Sequence, residues 1–89
     1  MTLPVLFSRR AERALVEIHA RYSSVFLPLG EAFLAETDRL AVRISRTPLV
    51  FPSLYRDVRR ARLRRFPYGM LYAAPGHDLG AAAEAGVPA

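Results

Sequence analysis

Arg59, Arg60, Arg62, Arg64 and Arg65 stand within one seven-residue run, and the corner Phe66-Pro67-Tyr68 follows directly. The chemistry open to such a run is the capture of anions. Guanidinium presents its donors in a planar fork that grips a carboxylate or a phosphate bidentately, and its flat face stacks on aromatic rings. These five arginines and Tyr68 are the candidate partner-binding or nucleic-acid-binding residues. Three origins for the run stay open: a solvated sheet face that pairs with acids of a partner chain, direct contact with nucleic acid, or GC-rich coding, since the chain contains no lysine. Other reactive groups are sparse. His19 lies between Ile18 and Ala20 and reads as a surface or packing residue. His77, beside Asp78, has the pKa range of a general acid or base but no second group at motif spacing. The two histidines and scattered acids show no metal-ligand pattern. No glycine-rich phosphate loop and no nucleophile motif appears. Neither a metal nor a cofactor is expected.

The alternation of the run decides which arginines can act. Val58, Arg60, Arg62 and Arg64 share one side of an extended strand; Arg59, Ala61, Leu63 and Arg65 share the other. With Ala61 and Leu63 on a core, Arg60, Arg62 and Arg64 face outward. Phe66-Pro67-Tyr68 turns the chain, and Gly69 to Ala73 returns as a second strand ending on Tyr72. Upstream, Ser8 offers an N-cap. Ala11, Ala14, Leu15, Ile18, Tyr22 and Val25 then recur at helical spacing, predicting a helix over about 9–23. Pro28 opens a second helix whose stripe is Leu29, Phe33, Thr37, Leu40 and Ile44, stopped by Thr47-Pro48. So short a connection predicts an antiparallel helical hairpin. Thr2 to Phe7 reads as an edge strand, with Pro4 at its start. Leu49 to Tyr55, with Pro52 inside it, reads as a loop.

The bulk properties set the frame. A chain of 89 residues, 52% apolar and 24% charged, is one small globular domain near the lower limit for a self-sufficient core. It has no cysteine, no apolar run long enough to span a bilayer and no signal-peptide pattern, which points to the cytoplasm. The net charge of +5 is unevenly placed. Residues 46–72 hold seven arginines against Asp57 alone, a net +6, whereas 73–89 hold only Asp78 and Glu84. The natural partner of the basic half is anionic.

A strand, two amphipathic helices and a basic hairpin, with L-R-R-F-P-Y-G-M-L-Y as signature, resemble the RelE/ParE family, the toxins of type II toxin–antitoxin (plasmid stabilisation) systems. The matching pieces are Leu6–Leu15, Leu29–Glu36 and, most specifically, Val58–Tyr72. The resemblance implies an α+β domain over residues 1–74, its two-helix hairpin packed on a small twisted antiparallel sheet. It implies a cognate antitoxin as partner, and DNA gyrase or the ribosome and its mRNA as target. In the ribonuclease branch, cations hold the scissile phosphate while other groups move protons, which makes Arg62, Arg64 and Tyr68 the catalytic candidates.

Two departures from that branch argue against ribonuclease chemistry. Gly69 stands where those enzymes carry a basic residue, and residues 75–89 form an alanine-rich tail, expected as loop or short helix, in place of a last strand. Without that strand the edge at Gly69–Ala73 is expected to be open, inviting a homodimer or a partner strand. The remaining readings are a toxin-like remnant that only binds an antitoxin, and a small basic nucleic-acid-binding module.

Overall fold

The structure, a computed structural model, describes residues 5–56, 58–73 and 81–88. The elements run β1 (Val5–Phe7), α1 (Arg9–Val25), α2 (Leu27–Arg46), β2 (Ser53–Tyr55), β3 (Val58–Arg62), β4 (Tyr68–Ala73) and β5 (Ala81–Pro88). His77 and Asp78 lie outside the described residues, as does Asp57.

Ser8 starts α1 as its type predicts. Its backbone is extended and its Oγ accepts the Ala11 N–H at 3.1 Å, with Glu12 in the first turn favoured by the helix dipole. A single extended residue, Phe26, separates the helices. Its N–H donates to the Tyr22 carbonyl at 3.0 Å, and its own carbonyl accepts the Leu29 N–H at 2.9 Å. Pro28 occupies the first turn of α2, where its missing donor is no loss. One glycine then sets the helix–helix distance: a Cβ on Gly30 would lie 2.0 Å from Ser23 Oγ and 3.1 Å from the His19 carbonyl. Along α2, Gly30, Phe33, Thr37, Leu40 and Ile44 are buried, one continuous stripe at helical spacing.

The sheet has five strands in the order β1-β5-β4-β3-β2. β1 runs parallel to β5, and every other neighbouring pair is antiparallel. Between β3 and β4 the register sets Arg59 opposite Tyr72, Ala61 opposite Met70 and Arg62 opposite Gly69. Residues opposite one another share a face, so Ala61, Met70 and Tyr72 turn to the helices and are buried, while Arg62 turns away. The side expected for Ala61 and Leu63 is therefore the side they take.

Three expectations are corrected. The tail is neither loop nor helix over Ala81–Pro88: it is β5, inserted between β1 and β4. Backbone pairing overrides the poor strand propensity of alanine here, because a strand with a neighbour on each side satisfies its N–H and C=O groups whatever its side chains. Its register on β4 slips between Gly69 and Met70, leaving Gly86 unopposed as a bulge. Consequently Gly69–Ala73 is not an open edge, and the reason for expecting a homodimer there disappears; the sheet's edges are β1 and β2. Finally, Ser53–Tyr55 within the expected loop is strand β2, which Pro52 precedes rather than interrupts. Among the described residues no helix is long and apolar enough to cross a membrane.

The core centres on aromatic rings between the helical hairpin and the β3–β4 turn. Phe33 lies 5.4 Å from Phe66 and 5.6 Å from Tyr22, and Tyr22 lies 5.0 Å from Phe66. Aromatic contacts of this kind add about 0.5–1.5 kcal/mol each beyond the area they bury. Truncating Phe33 to Ala removes the shared member, and such changes cost about 3–5 kcal/mol. In a domain whose whole stability is about 5–15 kcal/mol, the Phe33→Ala protein is expected to lose most of its urea resistance. An unfolding midpoint within experimental error of the parent would contradict this packing.

Candidate anion-binding groove

The β3–β4 turn is held to α2 by one carboxylate. Glu36 Oε1 accepts the backbone N–H of Arg64 at 2.8 Å and of Arg65 at 3.1 Å, both charge-assisted bonds. Glu36 Oε2 also lies 3.8 Å from Arg65 Nε, but that guanidinium is 62% exposed, where an ion pair contributes little. Glu36 thus fixes the backbone of the turn and leaves the arginine heads turned to solvent.

Between α2 and the turn opens a groove of about 520 Å³, walled by Arg39 and Arg43 on the helix and by Arg62, Arg64 and Arg65 on the strand and turn, with Leu40 and Leu63 also in its lining. Five guanidinium groups against one carboxylate, whose Oε1 is committed to backbone donors, make a concave anion-seeking surface. Arg39 and Arg43, one helical turn apart, were not among the residues singled out from the sequence. The signal was present in their spacing with Glu36 (i, i+3 and i+7), but the turn has to fold against that face before the three meet. Arg43 also lies over the Phe51 ring, 5.1 Å from its centroid.

The candidates from the sequence separate into groups. Arg62, Arg64 and Arg65 converge on this groove. Arg60 is half-buried and, with Arg62, lines a second groove of about 430 Å³ beside Phe51, Pro52, Ser53 and Leu54. Arg59 does not join either: its Nη1 donates to the carbonyls of Phe51 at 2.6 Å and Leu49 at 3.2 Å. It faces the helix side with Ala61, where the alternation placed it, and braces the α2–β2 loop instead of lining a groove. Tyr68 is also drawn inward. Its ring stands edge-on to Tyr22 at 6.5 Å and to Phe33 at 6.2 Å, half-buried in the aromatic cluster. His19 is half-buried on α1, remote in sequence from the groove-lining residues. Among the described residues no group of His, Cys, Asp or Glu is arranged to hold a metal ion.

Gly69, opposite Arg62, is fixed by its surroundings. A Cβ there would lie 2.7 Å from the Ala61 carbonyl oxygen, a backbone atom that cannot rotate aside. A basic side chain at this position would require β3 and β4 to move. Overpacking of this kind costs about 1–3 kcal/mol, so Gly69→Ala is expected to lower the thermal midpoint clearly. An unchanged midpoint would show that the strands have slack.

Tyr72 closes the inner side. It is buried, and its hydroxyl donates to the Pro48 carbonyl. Burial pushes its pKa up from the usual 10.0, with the Arg59 guanidinium pulling partly back. Tyr22 is raised as well, by burial and then by Tyr68, against a lowering from Arg21. A phenol whose folded-state pKa lies above its unfolded one contributes stability that is complete below the unfolded value and is lost as pH rises through the folded value. The urea resistance of the parent is therefore expected to fall more steeply above about pH 10 than that of Tyr72→Phe. Parallel pH profiles would remove Tyr72 as the cause.

No family model matches the sequence, and no curated protein does. Among solved structures, the chain is similar to one described as the "Chromosomal ParDE TA system from P. aeruginosa". The TM-score is 0.59 and the identity 19%, over 93% of this chain and 89% of that one. The similarity is one of fold: two helices on an antiparallel sheet in a ParE-like arrangement.

Proposed function

We propose that this chain, which has a ParE-like fold, is the toxin component of a type II toxin–antitoxin module. In this reading it arrests growth by acting on DNA gyrase or on translation, and a cognate antitoxin neutralises it. The observation that carries the reading is the fold shared along nearly the whole chain with a ParDE TA system. The basic groove supports it by supplying a surface for an anionic partner.

The surroundings of Gly69 favour gyrase over mRNA cleavage. The ribonuclease pattern calls for a cation at that position, and the Ala61 carbonyl leaves no room for a side chain there. Arg62 and Arg64 could still hold a phosphate, but Tyr68 is engaged with Tyr22 and Phe33. The acid beside them is Glu36, whose Oε1 is held by the Arg64 and Arg65 N–H donors. The same geometry is compatible with a binding-only descendant that retains antitoxin affinity without toxicity. The cell is predicted to be cytoplasmic territory for this protein, since both targets reside there.

Expression of the chain alone is expected to stop colony formation, and co-expression of the adjacent antitoxin-like reading frame to restore it. Arrest with intact mRNA and relaxed or broken DNA identifies the gyrase route; cleaved mRNA identifies translation. Normal growth together with a stable complex with the antitoxin would replace the toxin reading by the binding-only one. Normal growth without any such complex would remove both.

A further inference from the structure

We propose that the corner joining α1 to α2 is a peripheral docking site for a membrane surface that carries anionic phospholipid. This goes beyond the toxin reading and does not require it, since that reading makes no use of the corner.

Val25, Phe26 and Leu27 are exposed to 78%, 62% and 62%. Scattered exposed apolar residues are ordinary, but nowhere else among the described residues do three large ones follow one another. Displaying them goes against the rules for helix ends. Phe26 takes the N-cap position of α2, where Ser, Thr, Asp or Asn would accept a backbone N–H, and its side chain makes no cap bond. The first turn of α2 has no acid and the last turn of α1 no base, although the helix dipoles favour both. Residues 22–30 carry no charge. A water-exposed corner that forgoes both cap and charge breaks local rules in the way functional surfaces do.

Shape and polarity select a lipid layer. Ser24 to Pro28 are exposed without a break, so the corner projects as an apex and forms no groove. Its polar groups close on one another. The Phe26 N–H donates to the Tyr22 carbonyl at 3.0 Å, the Phe26 carbonyl accepts the Leu29 N–H at 2.9 Å, and Ser24 Oγ donates to the Arg21 carbonyl at 2.8 Å. These groups can leave water without losing a partner.

Positive charge stands a short way behind the apex. Phe66 packs on Tyr22, one turn before Val25, and on Phe33, which lies about 9 Å along α2 from Leu27. The exposed Arg64 and Arg65 precede Phe66, and the exposed Arg21 precedes Tyr22. Glu31 and the mostly buried Glu36 oppose these three cations with two acids. An apolar tip backed by cations matches the layers that a peripheral anchor meets: it sinks about 5–10 Å to the acyl boundary, with phosphates around its flanks. Long guanidinium side chains reach such phosphates by snorkelling. Such a contact needs no spanning helix. A second copy of the chain fits less well, because two facing apices would bring together molecules of net charge +5.

The test uses the full chain and vesicles of phosphatidylcholine, alone or mixed with phosphatidylglycerol. Co-sedimentation is expected to show binding to the mixed vesicles that weakens with salt, and at least about tenfold weaker binding to the neutral ones. Phe26→Asn supplies the missing cap, so its thermal midpoint is expected at or above that of the parent, while its affinity for mixed vesicles falls at least about tenfold. Arg21→Gln is expected to weaken binding about fivefold. Val16→Gln removes an exposed apolar side chain elsewhere on α1 and should change binding less than about twofold. If Phe26→Asn fails to fold, Leu27→Gln replaces it, with the same readings for binding. Absence of binding to mixed vesicles, equal binding to neutral ones, or equal losses from Phe26→Asn and Val16→Gln would overturn the proposal. So would a dimer in sedimentation equilibrium that Phe26→Asn abolishes, which would give the apex to a second copy. Growth arrest is scored separately, so arrest without vesicle binding rejects the apex and leaves the toxin reading standing.

Discussion

Everything in this domain depends on the contact of Phe33 with Phe66. The chain has no cysteine to staple it, so its cohesion must come from packing. The decisive packing is that of one helix ring against one turn ring, with Tyr22 and Tyr68 completing the cluster. Because Phe66 is inside, the arginines that flank it in sequence must be outside. Burying the ring and displaying the charge are the same event. The turn cannot lift from α2 without exposing Phe66, and the groove exists only while it stays down.

The electrostatics follow from that anchoring. Positive residues crowded on a short hairpin repel one another, a self-energy that any fold of this sequence must relieve. The structure relieves it in two ways. Arg59 is turned inward, where backbone carbonyls of the α2–β2 loop solvate it. Glu36 sits beneath the turn and accepts N–H donors whose own side chains point outward. What remains is displayed in two grooves: Arg39, Arg43, Arg62, Arg64 and Arg65 line the first, and Arg60 with Arg62 lines the second.

Much of this was legible in the residues. The helix stripes, the cap at Ser8, the hairpin at Phe66-Pro67-Tyr68 and the inward side of Ala61 and Leu63 are local consequences of spacing and type, and local patterns can be read. The misreadings share one cause: they concern partners distant in sequence. Ala81–Pro88 has no large side chain to announce a strand before Val87, and only the backbone of β1 and β4 makes it one. Arg59 reads as a partner-binding candidate on the side of Ala61 until carbonyls eight and ten residues away are brought beside it. Arg39 and Arg43 read as an ordinary polar helix face until the turn arrives opposite them.

The placement of β5 has a bearing on how the molecule comes into being. Val5 pairs with Ala81, so β1 and its neighbour stand at opposite extremes of the described chain. Synthesis delivers β1 first and its partner strand last. Helices α1 and α2, joined by one residue, have their contacts at short range and belong to the fast events of folding. β1 must wait for a closure that spans the whole intervening sequence, the most costly loop in entropy. A nascent chain stopped short of Ala81 would carry two orphaned strands, β1 and β4, with bare hydrogen-bonding edges. The residues that line the arginine groove, from Glu36 to Arg65, would already have been made. They thus emerge before the strand that completes the sheet.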